Sequence, residues 1–497
     1  MNAITHIEPS LDPETEKAVE IFALIVNDLR QDVDRPEMWE AFPQFLAAVP
    51  KLPEQARGAL QFYAGRDQTI AQAATIVLAL SAAHSGAVDQ AIGLMTPLLA
   101  VNANSPLVAG VTFFLQGMAA PDNPKYQLAG KICPVPFERL DVLETSSHLC
   151  CSSFLKPNVG NLQEAGDWRD VWNSRSAEAI RASIHDGSYR HCNKMSCPTI
   201  QSNTIPPAEE LSARSSEWRE IIEQRETSLA QGPVVVNLAY DRTCNLSCPS
   251  CRSSNYAADE ATRLQYDALQ ERVMLPMLKH TQVVTITGSG DPFASKNFRH
   301  LMQRLADDDY ANLKFHIMTN GMLFTPREWE RFPALHNRVN VLSISLDGAS
   351  AETHETLRRG ARWDVMEKNL SFAGELRRQG LIDAFHLGFV VQVENYHEMG
   401  EMISLAERVG ADGVYFGRIT NWGTFSQAEY KRKAVFLPEH PEHGHFIEAM
   451  ADPRLTDSRA HLGNLVDFLP EAKSMCRSQD AQTPADADSE MNAAFAG

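Results

Sequence analysis

The sequence predicts an α/β protein: a partial (β/α)6 TIM-like barrel preceded by an N-terminal α-helical domain and a small cysteine module. Three observations carry this. From Gly232 onward six apolar runs of strand length alternate with helix-length stretches, the region before Met118 repeats apolar residues at helical spacing, and five of the nine cysteines fall at positions 133, 150, 151, 192 and 197. At 497 residues the chain exceeds one ordinary core, since domains typically run about 100–200 residues. The expected organisation is residues 1–120 as a helical bundle, 128–206 as the cysteine module, 230–425 as the barrel, and 426–497 as a C-terminal extension with a disordered tail.

Taken in order, Glu14 to about Met118 contains AVEIFALIVNDL, GALQFYA, TIAQAATIVLALSAAH and DQAIGLMTPLLAV, each with helical periodicity. Breaks at Asp34–Pro36, Pro50–Pro53 and Asn102–Pro106 separate them. The Ala-rich pairs loosely resemble tetratricopeptide repeats but lack the period of roughly 34 residues that defines those, so a plain bundle is the reading. Ala120 to Gln127 is a linker, Pro207 to Leu229 is helical, and Gly232–Pro233 opens the alternating region. Its apolar runs are VVVNLAY, VVTITG, KFHIMTN, VNVLSISLD, FHLGFVVQV and GVYFGRI. Alternation of this kind predicts a parallel sheet with crossover helices, and six strands favour a partial barrel over the eight-fold one.

Composition narrows the function. Apolar residues at 44% and charged residues at 22% describe a folded protein. A formal charge of −18 argues against nucleic acid as a partner, because phosphate binding depends on Lys and Arg releasing counterions. No run approaches the ~18 apolar residues of a membrane span, and Met1 to Asp12 lacks the basic start and apolar core of an export signal. A cytoplasmic protein with no membrane partner is expected. There thiols stay reduced, and clustered cysteines bind metal.

Cys244, Cys248 and Cys251 lie in TCNLSCPSC, directly after the first expected strand, Val234 to Tyr240. In a parallel barrel such a loop opens on the functional face. Three soft thiolates suit a four-iron cluster and leave one iron open; a zinc site is the alternative reading of the spacing alone. The CxxxCxxC pattern in this position resembles the radical S-adenosylmethionine superfamily over about Gly232 to Arg418. The resemblance implies a [4Fe-4S] cluster whose open iron chelates S-adenosylmethionine, an electron from the cluster that cleaves the sulfonium, and a 5′-deoxyadenosyl radical that abstracts hydrogen from substrate. It also implies an electron donor such as flavodoxin or ferredoxin. Ser250 departs from the aromatic residue usual before the third cysteine.

Later strand ends match as well. Gly288, Ser289, Gly290 and Asp291 in TGSGDPF resemble the glycine-rich segment that contacts the cofactor's amino group; glycines let backbone approach a ligand and Asp291 offers an anionic acceptor. Thr319 and Asn320 with Gly321, then Ser343, Ser345 and Asp347, resemble the segments that face the ribose and methionine. Arg358, Arg359 and Gly360 fall where relatives carry an arginine-glycine segment; an arginine there reads either as a carboxylate ligand or as part of a solvated helix end. Asn395 resembles an asparagine near the cofactor, with a loop cap as its bland reading.

Residues 131–198 resemble the SPASM or twitch module, whose auxiliary [4Fe-4S] cluster would be held by Cys133, one of Cys150 and Cys151, Cys192 and Cys197, with Cys150 the better match. A four-cysteine zinc site is the alternative. The module commonly follows the barrel; here it precedes it. Trp168, Trp172 and Ile180 read as core. His440, His443 and His445 are crowded like metal ligands but sit in a run read as a flexible loop. Cys476 and the unassigned Cys151 are candidates to return a hydrogen atom to a substrate radical, against the bland reading of buried thiols. The resemblance implies a peptide or protein substrate that is oxidised, epimerised or crosslinked; a sugar or other small molecule is the second reading, and a zinc-braced scaffold the reading of another class.

Overall fold

The computed structural model describes residues 68–102 and 105–480. The expected helices in AVEIFALIVNDL and GALQFYA, the breaks at 34–36 and 50–53, and the expected tail beyond residue 480 lie outside the described residues. The chain divides into two compact units, Met1–Asp141 with Thr145–Pro233, and Val142–Glu144 with Val234–Gly497.

In the first unit, helices Gln68–His84, Val88–Val101 and Pro106–Ala119 pack in succession. The third starts where expected: Ser105 is extended, its side chain accepts from Val108 N, and a proline follows at the first helical position, where its missing N–H costs nothing. In the cysteine segment, Ser147 pairs with Gly160 and Leu155 with Cys192 in antiparallel bridges. Helix Arg175–His185, capped by Ser174, buries Ala177, Ile180 and Ile184. Trp168, Trp172 and Ile180 are core, and the Arg181 guanidinium stacks 4.4 Å from the Trp172 ring. The single helix expected over 207–229 is two, Ala208–Arg214 and Ser216–Glu223. Ser215 between them is extended (φ −159°, ψ 161°) and its side chain accepts from Trp218 N, so an internal serine acts as an N-cap and restarts the helix.

The second unit holds a parallel sheet of β1 (Val235–Leu238), β2 (Val283–Ile286), β3 (Lys314–Thr319), β4 (Val339–Ser345), β5 (Phe385–Val391), β6 (Gly413–Arg418) and β7 (Ala460–His461). Every neighbouring pair is parallel and consecutive in sequence. From β1 to β7 the strand order does not reverse, which puts every right-handed crossover on the same side and makes a barrel wall and not a doubly wound sheet. All six expected strands are present. The seventh, two residues long, comes from the C-terminal extension and pairs Val414 with Ala460 and Tyr415 with His461.

Burial alternates along β5: Phe385, Leu387, Phe389 and Val391 are buried while His386, Gly388 and Val390 are half-buried. β3 follows the same period, as side chains on successive residues of a strand must. The run with His440, His443 and His445 is not the expected loop throughout. His443 begins a helix to Ala449, the rings of His440 and His443 contact the carbonyls of Arg432 and Val435, and they form no ligand group with His445. No helix of the described residues is long and apolar enough to cross a membrane.

Candidate active site

The loop after β1 is built to hold three thiols in place. Asp241, buried, accepts from Thr243 N at 2.8 Å and from Ser295 Oγ at 2.5 Å. Cys244 N donates to Tyr256 O, and the N–H groups of Cys251 and Arg252 both donate to Cys248 O. Arg359 latches the loop from outside: its Nε donates to Ser247 Oγ and its Nη2 to Ser253 O, each at 3.0 Å, while Ser247 N donates to Arg359 O.

Cys244, Cys248 and Cys251 line one cavity with Arg252, Thr287, Gly288, Ser289, Gly290, Met318, Thr319, Asn320, Ser345 and Arg358. Each sulfur faces an N–H donor. Cys244 Sγ lies 3.4 Å from Leu246 N and 3.5 Å from Asn320 Nδ2, Cys251 Sγ lies 3.5 Å from Arg252 Nη2, and Cys248 Sγ lies 4.0 Å from Arg358 Nη1. Burial pushes the Cys244 and Cys248 thiols up, opposed by Leu246 N–H and by the Arg358 guanidinium respectively. A metal group bound there must therefore displace their protons. The donor set suits a four-iron cluster. Three thiolates reach the cavity, among its lining residues there is no fourth Cys, His, Asp or Glu, and N–H donors to sulfur are what such clusters require of their surroundings.

The strand-end segments read from sequence separate into wall and support. Gly288, Ser289, Gly290, Thr319, Asn320 and Ser345 line the cavity; Asp291, Asp347 and Asn395 do not. Asp291 is fully buried and accepts from Thr319 Oγ1 (2.7 Å), Asn320 N (2.9 Å), Phe293 N (3.1 Å) and Ala294 N (3.3 Å). It joins the loops after β2 and β3, and burial raises its pKa against those four donors. Asp347, at φ +61°, accepts from Val390 N at 2.8 Å and pairs with Arg358 Nη2 at 2.8 Å. Arg358 is thus neither a solvated helix end nor free for an outside carboxylate on that nitrogen. Asn395 donates to Asp347 O and Val390 O and accepts from Gln392 N. Ser343 lies deeper, its Oγ 2.9 Å from His316 Nε2.

Two glycines exchange roles relative to expectation. A Cβ on Gly288 would meet nothing within 4 Å, whereas one on Gly290 would stand 2.5 Å from Asp241 O and 2.6 Å from Thr243 O. The close backbone approach belongs to Gly290. Before it Thr287 adopts φ +77°, strained for a β-branched residue, and its Oγ1 accepts from both Ser289 N and Gly290 N. Arg252, Thr287 and Met318 were missed from sequence. Only the adjacency of Arg252 to the third cysteine could have marked it.

In the other unit, Cys133, Cys150, Cys192 and Cys197 come together. Burial raises the thiols of Cys133 (to about 11), Cys150 (to about 12) and Cys192, and each is raised further by its cysteine neighbours in this set. Tyr189, at φ +48°, braces two of them: Cys133 N donates to its Oη, its Oη donates to Lys131 O, and Cys192 N donates to its carbonyl. Cys151 adjoins Cys150 in the chain and acts on its thiol. Cys476 falls in helix Leu469–Asp480; its side chain lies outside the described residues.

Residues 241–406, which hold the cysteine loop and β2 to β5, match the Radical SAM superfamily. Domains of this class hold a [4Fe-4S] cluster and S-adenosylmethionine. Among curated relatives, the chain is 30% identical over 192 residues to the mycofactocin maturase MftC of Mycolicibacterium smegmatis, covering 38% of this chain and 46% of that protein. It is 26% identical over 211 residues to an AdoMet-dependent heme synthase of Methanosarcina barkeri, covering 41% and 58%. The chain thus spans about half the length of the curated relatives it matches. SuiB of Streptococcus suis, solved with S-adenosylmethionine, aligns over 51% of this chain and 55% of that one at 17% identity and a TM-score of 0.31.

Proposed function

We propose that the protein is a radical S-adenosylmethionine enzyme that modifies a peptide or protein by oxidation, epimerisation or crosslinking. The observation that carries the reading is the convergence of Cys244, Cys248 and Cys251 with the glycine-rich, Thr319–Asn320 and Ser345 segments on one cavity at the carboxyl ends of parallel strands. When bound, the cluster and S-adenosylmethionine supply reductive cleavage of the cofactor and the 5′-deoxyadenosyl radical that abstracts hydrogen. The chain's own residues hold and orient. The three thiolates carry the cluster, the Gly288–Gly290 backbone forms the wall for the cofactor's amino acid end, with the Gly288 and Gly290 carbonyls facing it, Ser345 offers a hydroxyl at the wall, and Asp291 and Asp347 fix these loops from behind.

Cys133, Cys150, Cys192 and Cys197 are assigned to an auxiliary [4Fe-4S] cluster, and Cys151 to hydrogen-atom return. Similarity to a maturase supports the peptide reading; similarity to a heme synthase keeps a small-molecule substrate as the second one. Partners are a peptide substrate and a flavodoxin- or ferredoxin-like electron donor, in the cytoplasm. The test is anaerobic purification with iron and sulfide counting, followed by assay for 5′-deoxyadenosine after reduction with S-adenosylmethionine. Zinc in place of iron, with no cofactor cleavage, would sink the reading.

A further inference from the structure

We propose that Arg252, the residue directly after the third cysteine, is a positioning residue that sets how easily the barrel cluster is reduced and ties that cluster to the loop after β2. The inference rests on the cluster assignment above.

Arg252 is only 6% exposed, an expensive place for a guanidinium unless its donors are satisfied. Nη1 donates to Arg242 O at 2.6 Å, and Nη2 donates to Ser289 O and lies 3.5 Å from Cys251 Sγ. The acceptors are two carbonyls and a sulfur, so none carries a full negative charge until that sulfur becomes a thiolate. The other two cysteines are served differently. Cys244 faces the neutral Asn320 amide. Cys248 faces Arg358, whose charge is already matched by Asp347 at 2.8 Å. Of the three side-chain donors, Arg252 alone is a cation with no carboxylate among its hydrogen-bond partners.

A positive charge beside a cluster favours the form holding one more electron, and the effect is large where water is excluded. The step concerned is uptake of one electron from an external one-electron reductant, with no proton or group transferred. The same guanidinium spans two loops, because Ser289 lines the cavity and its Oγ donates to Ala239 O at 2.6 Å. Lysine would keep the charge but not the planar fork, which separates the two roles.

The experiment uses the full chain, reconstituted anaerobically, as wild type, Arg252→Gln and Arg252→Lys, with electron paramagnetic resonance during redox titration and equilibrium binding of S-adenosylmethionine. Arg252→Gln should make reduction of the barrel cluster about tenfold less favourable, a shift of about 59 mV to lower potential for one electron. Arg252→Lys should titrate close to wild type while binding the cofactor about tenfold more weakly, because an ammonium lacks the planar fork that reaches the Arg242 and Ser289 carbonyls together. A Gln variant with the wild-type potential overturns the proposal. If that variant does not fold or load, a loaded Lys variant with wild-type cofactor affinity overturns it instead. A wild-type chain that takes up no four-iron cluster overturns the underlying reading, and is distinguished by failing before any variant is compared.

Discussion

At the scale of single residues, the site depends on side chains and backbone atoms that come from different loops. Gly290 is required because the carbonyls of Asp241 and Thr243 occupy the space where a Cβ would go. Gly290→Ala should therefore lower stability by about 1–3 kcal/mol, the usual cost of forcing atoms into a packed site, read as a lower Tm. Gly288→Val should leave Tm unchanged, since its Cβ enters open space, and should weaken S-adenosylmethionine binding by filling the cavity that Gly288 lines. Equal Tm losses in both would remove this distinction. A reader of TGSGDPF sees two glycines but not which one is crowded, because the crowding atoms belong to the preceding strand's loop. The three cysteines were legible because their spacing is local. Replacing Cys244, Cys248 and Cys251 together by Ala should abolish 5′-deoxyadenosine formation, and a variant that still forms it would show the thiols are not the cluster ligands.

Elements were legible to the extent that their burial is periodic. The six apolar runs became strands, and in β3 and β5 one face is buried while the other stays half-buried, an alternation that the sequence carries plainly. β7 has only two residues, too few for any period, and the Ser215 break is a single capping contact inside an otherwise helical run. The junction of β4 with helix Ala351–Leu357 holds a group that no pattern announced. His354 is buried, its Nδ1 faces Leu346 O so that the ring is neutral with the proton on Nδ1, its Nε2 has no partner, and burial lowers its pKa to about 4. In the unfolded chain this imidazole titrates near 6.5, so between those values the unfolded state binds more protons and stability must rise with pH. The contribution is present above pH 6.5 and is lost as pH falls toward 4, by about 3 kcal/mol in all. Denaturant unfolding across this range should show that slope in the wild type and a flatter one in His354→Gln; parallel curves would exclude His354 as its source.

For the molecule as a whole, the two cysteine sets fall in different compact units, so each should load without the other. The barrel set has three thiols at a cavity lined by no fourth protein ligand; in the other set Cys133, Cys150 and Cys192 are buried thiols raised further by neighbouring cysteines. Chain order alone could not establish this, since Cys133 and Cys192 are both held by Tyr189, and Cys192 also by the bridge to Leu155, which are contacts between distant segments. Replacing Cys133, Cys192 and Cys197 by Ala should lower iron and sulfide by about four atoms each per chain, the content of one such cluster, while 5′-deoxyadenosine formation persists. The barrel triple variant should lose a similar amount and keep the second cluster's signal. Cys150→Ala should behave as an auxiliary-ligand variant and Cys151→Ala should not, because the Cys150 thiol is acted on by both Cys133 and Cys197. Iron unchanged in the Cys133, Cys192 and Cys197 variant would give that set to zinc or to structure alone. Loss of both clusters in either triple variant would mean that the two units do not fold and load independently.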